Sequence, residues 1–344
     1  MIESICSELE LQRSYLNHDK IDTIYFGGGT PSILASTEIE NILTSIHTLF
    51  EINSYPEITM EANPDDLSME KLKGLKKLGI NRLSIGIQSF HDKILKYLNR
   101  AHNSKEAILC IKNAREAGFE NLSIDLIFSI PDQTIGQLKK DMDQAFALNP
   151  EHISVYSLTI EEKTVFGNWY KKRKIRQLSD EDSANQFDFI ITTLEDHGYE
   201  QYEISNFCRD ERYSRHNTSY WKNIKYLGIG PGAHSYNSDN RQFNVANNHK
   251  YMKSIREGIV PSEGEKLTKM DRANEFILTS LRTKWGCDLL KLHDLFGYDL
   301  IKLQEIKIKE LISEAQLFME NKHIFLTRKG KFLADTIIAD LFWI

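Results

Sequence analysis

Along the first 158 residues the apolar positions switch repeatedly between two periods. Ile2, Ile5 and Leu9 recur at helical spacing, and IDTIYF then reads as a strand. ILTSIHTLF puts Ile42, Leu43, Ile46, Leu49 and Phe50 on one helical face, and EITMEANP reads as a strand ending at Asn63-Pro64. MEKLKGLKKLG predicts a helix closed by Gly79, and NRLSIGIQSF alternates with Leu83, Ile85 and Ile87 on one side. SKEAILCIKNAREAGF predicts a helix capped by Ser104 and stopped at Gly118, followed by the strand NLSIDLIFSIP. TIGQLKKDMDQAFALNP predicts a helix with Thr134 as its cap, followed by the strand HISVYSLTI.

Strict alternation of helix and strand implies a parallel sheet. Polar residues gather where the strands end: GGGTP, EANP, QSF, the region of Asp125, and SLTIE. Those ends are where α/β folds build their sites. Each alone reads as a loop or cap residue; five in series favour a site.

From about Glu161 to Ser262 the alternation stops. QYEISNFC, RHNTSYW and KYLGIGPGAHSYN are rich in aromatics, His, Asn and Gly, so irregular structure with short strands is expected. From about Lys266 the texture is helical, in MDRANEFILTSLR, LKLHDLFG and LIKLQEIKIKELISEAQ. IFLTRKGKFLADTIIADLF then adds a strand-like piece and a helix, the pattern of a winged-helix module. Lacking a basic face, such a module reads as a packing or docking element. The segments expected are 1–160, 161–262 and 263–344.

Hydrophobic residues at 41% and charged residues at 27% of 344 describe a folded chain with room for more than one domain. A net charge of −6 gives no footprint for nucleic acid or an anionic membrane. No apolar run has membrane-spanning length, and MIESICSELELQ reads as an amphipathic helix, so a cytoplasmic protein without an integral membrane segment is expected. Cys6, Cys110, Cys208 and Cys287 stand far apart, and no CxxC pair marks a zinc or redox motif.

The three glycines of TIYFGGGTPSIL form neither a P-loop nor GxGxxG. They make a tight turn, or they let a ligand's polar group reach the backbone of Gly27, Gly28 and Gly29. In order, YFGGGTPSIL, MEANPDD, SIGIQSF, LNRAH, SIDLIFSIPDQT and YSLTIE resemble the radical S-adenosylmethionine (radical-SAM) superfamily. Within it they resemble the branch holding oxygen-independent coproporphyrinogen III oxidase and the haem (heme) chaperone HemW. YEISNF, RHNTSYW, LGIGPGAHS and LTRKGK carry the resemblance over nearly the whole chain.

The resemblance implies an α/β fold: a partial (β/α)6 barrel, here without its first strand, with a C-terminal helical, winged-helix-like domain. It implies that Gly28, Gly29 and Thr30 receive the amino and carboxylate end of SAM. Glu61, Gln88, Arg100 and Asp125 would point into the barrel mouth, and Thr159 would lie near the adenine. The chemistry agrees: carboxylates suit a ribose diol or cationic groups, Arg100 suits a carboxylate, and Gln88 both donates and accepts. Read singly, Arg100 is equally a solvated charge and Asp125 a cap or core hydrogen-bond group.

The family's CxxxCxxC motif, whose thiolates hold a [4Fe–4S] cluster, is absent, and so is the strand before it. The expectation is that Met1 corresponds to an internal residue of a longer protein. SAM and the cluster are therefore implied for the intact family member, and whether this chain is an enzyme stays open. RHNTSYW resembles the HNxxYW element of the chaperone branch, which selects a heme chaperone over an oxidase that decarboxylates coproporphyrinogen. The implied partners are heme and an acceptor protein. His216 is the candidate ligand of heme iron, Tyr220 and Trp221 candidate walls, Arg215 a candidate propionate partner, and His234 of GPGAHS a second candidate ligand.

Overall fold

The computed structural model describes residues 1–343, without the side chain of Val165; Ile344, the end of the expected third segment, lies outside the described residues. Helix and strand alternate as the pattern predicts. α1 (Ile2–Leu11) precedes β1 (Ile21–Phe26), and α2 (Ser36–Leu49) precedes β2 (Ile52–Ala62). α3 (Met69–Lys77) leads to β3 (Arg82–Gln88), α4 (Asp92–Tyr97) and α5 (Ser104–Glu116) to β4 (Leu122–Phe128), and α6 (Ile135–Leu148) to β5 (His152–Ser157). Two details differ. The sequence pattern did not mark the short α4. The cap of α5 is Asn103, whose side chain accepts from the N–H groups of Lys105 and Glu106, so Ser104 is already helical. Thr134 caps α6 by accepting from the Gln137 N–H.

The middle segment holds the short strands expected of it, with helices where irregular structure was expected. It contains α7 (Val165–Lys171), α8 (Asp180–Asp196), β6 (Glu200–Glu203), β7 (Asn206–Cys208), α9 (Arg215–Trp221), β8 (His234–Tyr236), β9 (Asn240–Asn244), α10 (Asn248–Arg256) and β10 (Ser262–Lys266). α8 is 17 residues long, is capped by Ser179, and buries Phe187, Ile190, Ile191 and Leu194 at helical spacing. Farther on, α11 (Lys269–Leu281) and α12 (Leu289–Phe296) accompany a small antiparallel sheet of β11 (Cys287–Asp288), β12 (Leu317–Glu320) and β13 (His323–Leu326).

Among the described residues the main sheet has seven strands in the order β1-β2-β3-β4-β5-β7-β6. β2 through β5 pair in parallel, while β7 is antiparallel to both β5 and β6. The chain divides into two compact units: Met1–Ile24, Leu34–Glu57 and Arg215–Ile344 form one, and Tyr25–Ile33 and Ile58–Ser214 the other. The division falls inside β1 and β2. No helix among the described residues is long and apolar enough to cross a membrane.

Within the second unit, period-two alternation sorts the strands into two faces. Leu83, Ile85 and Ile87 of β3 are 0% exposed, and Leu122, Ile124, Leu126 and Phe128 of β4 are buried on the same side. Burying side chains of this kind stabilises by about 1.5–3 kcal/mol each. The opposite face carries Arg82, Ser84, Gly86 and Gln88 on β3, Ser123 and Asp125 on β4, and His152, Ser154 and Tyr156 on β5. The hydrophobic pattern thus aims a row of polar groups at one place.

Candidate functional site

The strand ends of the second unit bring most of the SAM candidates together. Glu61, at the end of β2, accepts from the Tyr25 hydroxyl at 2.6 Å and from the Gly28 N–H at 3.1 Å. Burial, with Glu61 beside it, holds the Tyr25 phenol far above the usual range. Gly28 (φ 75°) and Gly29 (φ 64°) take left-handed backbone, and a Cβ at either would meet no atom within 4 Å. The loop therefore presents bare backbone to open space. One of its N–H groups is already engaged by Glu61, so a ligand there shares or displaces that carboxylate. Thr30 closes the loop, its carbonyl accepting from the Ile33 N–H at 3.3 Å.

Arg100 donates from Nη2 to Asn63 Oδ1 at 2.6 Å and to the Gly86 carbonyl at 3.1 Å. Its Nε is buried with no hydrogen-bond partner. An orphaned guanidinium N–H suits a carboxylate. Gly86 leaves room for its neighbours: a Cβ there would lie 2.8 Å from Gln88 Nε2 and 3.4 Å from Arg100 Nη2, and would push those side-chain ends aside. Gln88 ends β3 at φ 67°, where the β3–β4 register shifts. A non-glycine residue in this region stores strain of about 1–3 kcal/mol, the kind that collects at binding sites.

Asp125 sits mid-strand on the polar face. Ser84 Oγ lies 3.4 and 3.5 Å from its two carboxylate oxygens. Burial pushes its pKa up to about 6; Ser154, Arg82 and Ser84 oppose the shift and Glu61 adds to it. Thr159 stands apart: it is exposed beyond the end of β5, and its side chain makes no hydrogen bond among the described residues. Tyr25, Asn63 and Gly86 were missed by sequence reasoning. The alternation that marks Glu61 and Gln88 also marks Tyr25 and Gly86, and Asn63-Pro64 closes β2.

The heme candidates lie in the first unit. Glu57 accepts from the backbone N–H groups of Arg215 and His216, at 3.1 and 3.0 Å, and so satisfies the N-terminus of α9. His216 Nδ1 is 2.8 Å from Thr23 Oγ1, and Nε2 is 3.0 Å from the Tyr220 hydroxyl. The two rings meet edge-on with centroids 5.0 Å apart. Tyr220 continues into Tyr226 at 4.6 Å, and Tyr226 into Tyr236 at 6.2 Å. Burial, with Tyr226 nearby, pushes the Tyr220 phenol up to about 12. Both nitrogens of the expected iron ligand are thus engaged. Thr23 and Glu57 gave no sign of this in the sequence, since each lies more than 150 residues from its partner.

Arg215 is committed as well, donating from Nη1 to the Tyr55 carbonyl at 2.8 Å and pairing with Asp22 at 3.5 Å. Trp221 lies under Arg282 at 5.6 Å, and its indole N–H is buried without a partner. His234 is exposed; its ring faces Phe243 at 5.7 Å and makes no hydrogen bond among the described residues. Gly228 permits the close approach of that strand, because a Cβ there would lie 2.0 Å from the His234 carbonyl oxygen.

The residues present fit SAM: bare backbone, an orphaned guanidinium N–H and two carboxylates converge. They do not fit a [4Fe–4S] cluster. Among the described residues no three His, Cys, Asp or Glu side chains are grouped to hold a metal ion. Cys110, Cys208 and Cys287 are buried singly, and burial pushes the thiols of Cys110 and Cys287 up to about 12, away from the thiolate a cluster needs.

Comparison with known proteins adds the following. Residues 7–145 match the radical SAM superfamily model, and residues 267–333 match the HemN C-terminal domain. The heme chaperone HemW of Bacillus subtilis (strain 168) is 36% identical over 321 residues, 93% of this chain and 85% of that protein. The heme chaperone HemW of Lactococcus lactis subsp. lactis (strain IL1403) is 35% identical, covering 98% of this chain and 90% of that protein. Among solved structures, the radical SAM enzyme coproporphyrinogen III oxidase (HemN) of Escherichia coli superposes with a TM-score of 0.84 over 98% of this chain and 82% of that one, at 22% identity. That likeness is one of fold.

Proposed function

We propose that this chain, which belongs to the heme chaperone HemW family of the radical SAM superfamily, binds heme and passes it to an acceptor protein. The observation that carries the reading is the extent of the likeness to heme chaperones, which runs through the α9 element RHNTSYW and not only through the barrel. The alternative, an oxygen-independent coproporphyrinogen III oxidase, is supported by fold alone.

Heme is assigned to the first unit, with His216, Tyr220 and Trp221 of α9 as its contacts and His234 as a second imidazole. Trp221 offers an unpaired N–H to a propionate. Arg215 can do the same only by leaving Asp22. SAM is assigned to the mouth of the second unit. Gly28, Gly29 and Thr30 frame its amino-acid end, Arg100 pairs with its carboxylate, Gln88, Glu61 and Asp125 take its polar groups, and Thr159 is held as an outer contact. Bound there, SAM supplies a sulfonium whose reductive cleavage is the superfamily's chemistry. The described residues do not provide a cluster's thiolates. We hold to the three-part division at about residues 160 and 262, with a cytoplasmic location, as part of the same reading.

The test is transfer. Chain loaded with one equivalent of ferric heme is mixed with a heme-free b-type acceptor, and the acceptor's absorption is followed. Transfer faster than spontaneous loss of heme to a passive scavenger supports a chaperone. Heme release at the scavenger rate, whatever the acceptor, contradicts it.

A further inference from the structure

We infer that His102 and Asp141 are positioning residues: they brace a strained turn that sets the Gln88 amide beside Arg100, and so govern how tightly SAM is held. This rests on the assignment of SAM to the mouth of the second unit.

The turn is plain in the backbone. Gln88 has φ 67°, and the Ile87 carbonyl accepts from the Ser89 N–H at 2.9 Å, across Gln88. A bond between residues i and i+2, closed over a positive φ, makes a γ-turn of the rare, strained kind. A non-glycine residue keeps such a conformation only where its surroundings impose it.

Here they impose it from both sides. His102, in the connection between α4 and α5, is 3% exposed, and its Nε2 lies 3.1 Å from the same Ile87 carbonyl. A carbonyl only accepts, so Nε2 carries the ring proton. Burial, with the Arg100 charge adding to it, holds the imidazole below its ordinary pKa and so favours the neutral ring. On the other side, Asp141 of α6 is 1% exposed. It accepts from the Ser89 hydroxyl at 2.9 Å and from the Phe90 N–H at 2.6 Å. The Ser89 oxygen accepts in turn from the His91 N–H at 3.1 Å. Two buried side chains from separate elements thus hold the backbone just before and just after Gln88.

The consequence falls on the site. Gln88 Nε2 and Arg100 Nη2 share the space over Gly86, at 2.8 and 3.4 Å from where a Cβ would stand. Relaxing the turn carries the amide away from the guanidinium assigned to the SAM carboxylate.

SAM is titrated calorimetrically into the full chain and into His102→Asn, His102→Gln, Asp141→Asn, Gln88→Ala and the double variant H102N/Q88A, each first checked for an intact melting transition. Hydrogen exchange over residues 87–91 reads the turn without any ligand. A glutamine amide reaches as far as Nε2 and keeps the donor to Ile87; the shorter asparagine does not. His102→Asn should weaken SAM binding about tenfold and speed exchange of the Ser89 amide, and His102→Gln should restore both. Asp141→Asn turns one acceptor oxygen into a donor facing donors, and should also weaken binding about tenfold. In the Gln88→Ala background, His102→Asn should cost no further affinity, because it acts through that amide. Unchanged affinity in His102→Asn, or an equal loss with and without the Gln88 amide, would overturn the inference while leaving the SAM site in place. Absence of SAM binding by the wild-type chain would overturn the SAM assignment together with it.

Discussion

Each unit sets a glutamate among polar partners, Glu8 buried and Glu61 half-buried, and the two are engaged to different degrees. In the first unit, Glu8 of α1 is 0% exposed and accepts from Tyr251 at 2.5 Å, Asn244 at 2.7 Å, Gln12 at 2.7 Å and the Gly230 N–H at 2.8 Å. Four donors saturate one carboxylate and tie α1 to α10, β9 and the glycine turn. In the second unit, Glu61 accepts two bonds, its neighbour Asp125 is held by the Ser154 and Ser84 hydroxyls, and Arg100 keeps an unpartnered N–H. Residue type does not separate a clamp from a binding site; the count of satisfied hydrogen bonds does. Saturation stabilises, and unsatisfied polarity beside open backbone is what a ligand can complete.

The sharpest way to break this contrast is Glu8→Ala. It strands the buried Tyr251 hydroxyl, the Asn244 amide and the Gly230 N–H, and should cost at least about 3 kcal/mol in urea unfolding. A loss below about 1 kcal/mol would mean that the cluster is not a clamp.

Asp125→Asn should go the other way. The folded pKa of Asp125, about 6, lies above the ordinary 3.8. The fold therefore holds that proton more tightly, a contribution to stability that is full below the ordinary value and lost as pH rises through about 6. The variant should equal wild type near pH 4 and exceed it by about 1–3 kcal/mol at pH 8, while binding SAM more weakly at both. Identical pH profiles for the two proteins would remove Asp125 from the polarised mouth.

Gly28→Val forces a branched side chain into left-handed backbone. It should cost about 1–2 kcal/mol of stability and abolish calorimetric SAM binding, because the side chain fills the space a ligand needs. Unchanged SAM affinity would take the loop out of the site. The smallest effect belongs to Gln88→Gly, which relieves strain of about 1 kcal/mol and removes a polar contact. Equal or higher stability with weaker SAM binding is expected, and a clear loss of stability would assign Gln88 a structural task.

How legible was this in the chain? The alternating order up to residue 158 was readable because each helix there has one apolar stripe and each strand one apolar face. The same alternation located the polar strand ends, while the assignment of Glu61, Gln88 and Asp125 to a site came from the family resemblance. α8 was also readable, since Phe187, Ile190, Ile191 and Leu194 keep helical spacing, but the aromatic and glycine-rich stretches after it hid the signal. Glu8 was invisible for a different reason. MIESICSELELQ reads as an ordinary amphipathic helix, and the groups that bury its glutamate come from Gly230, Asn244 and Tyr251, more than 220 residues later. The RHNTSYW motif marked His216 but not its state. Only the fold brings Thr23 and Glu57 to it and engages both of its ring nitrogens.

Ferric heme titration of the 344-residue chain, followed in the Soret region against a buffer control, tests the central claim most directly. Saturation at one heme per chain, with a Soret band displaced from that of free heme, is the result the account predicts. A linear rise without saturation, with the band unmoved, would contradict it.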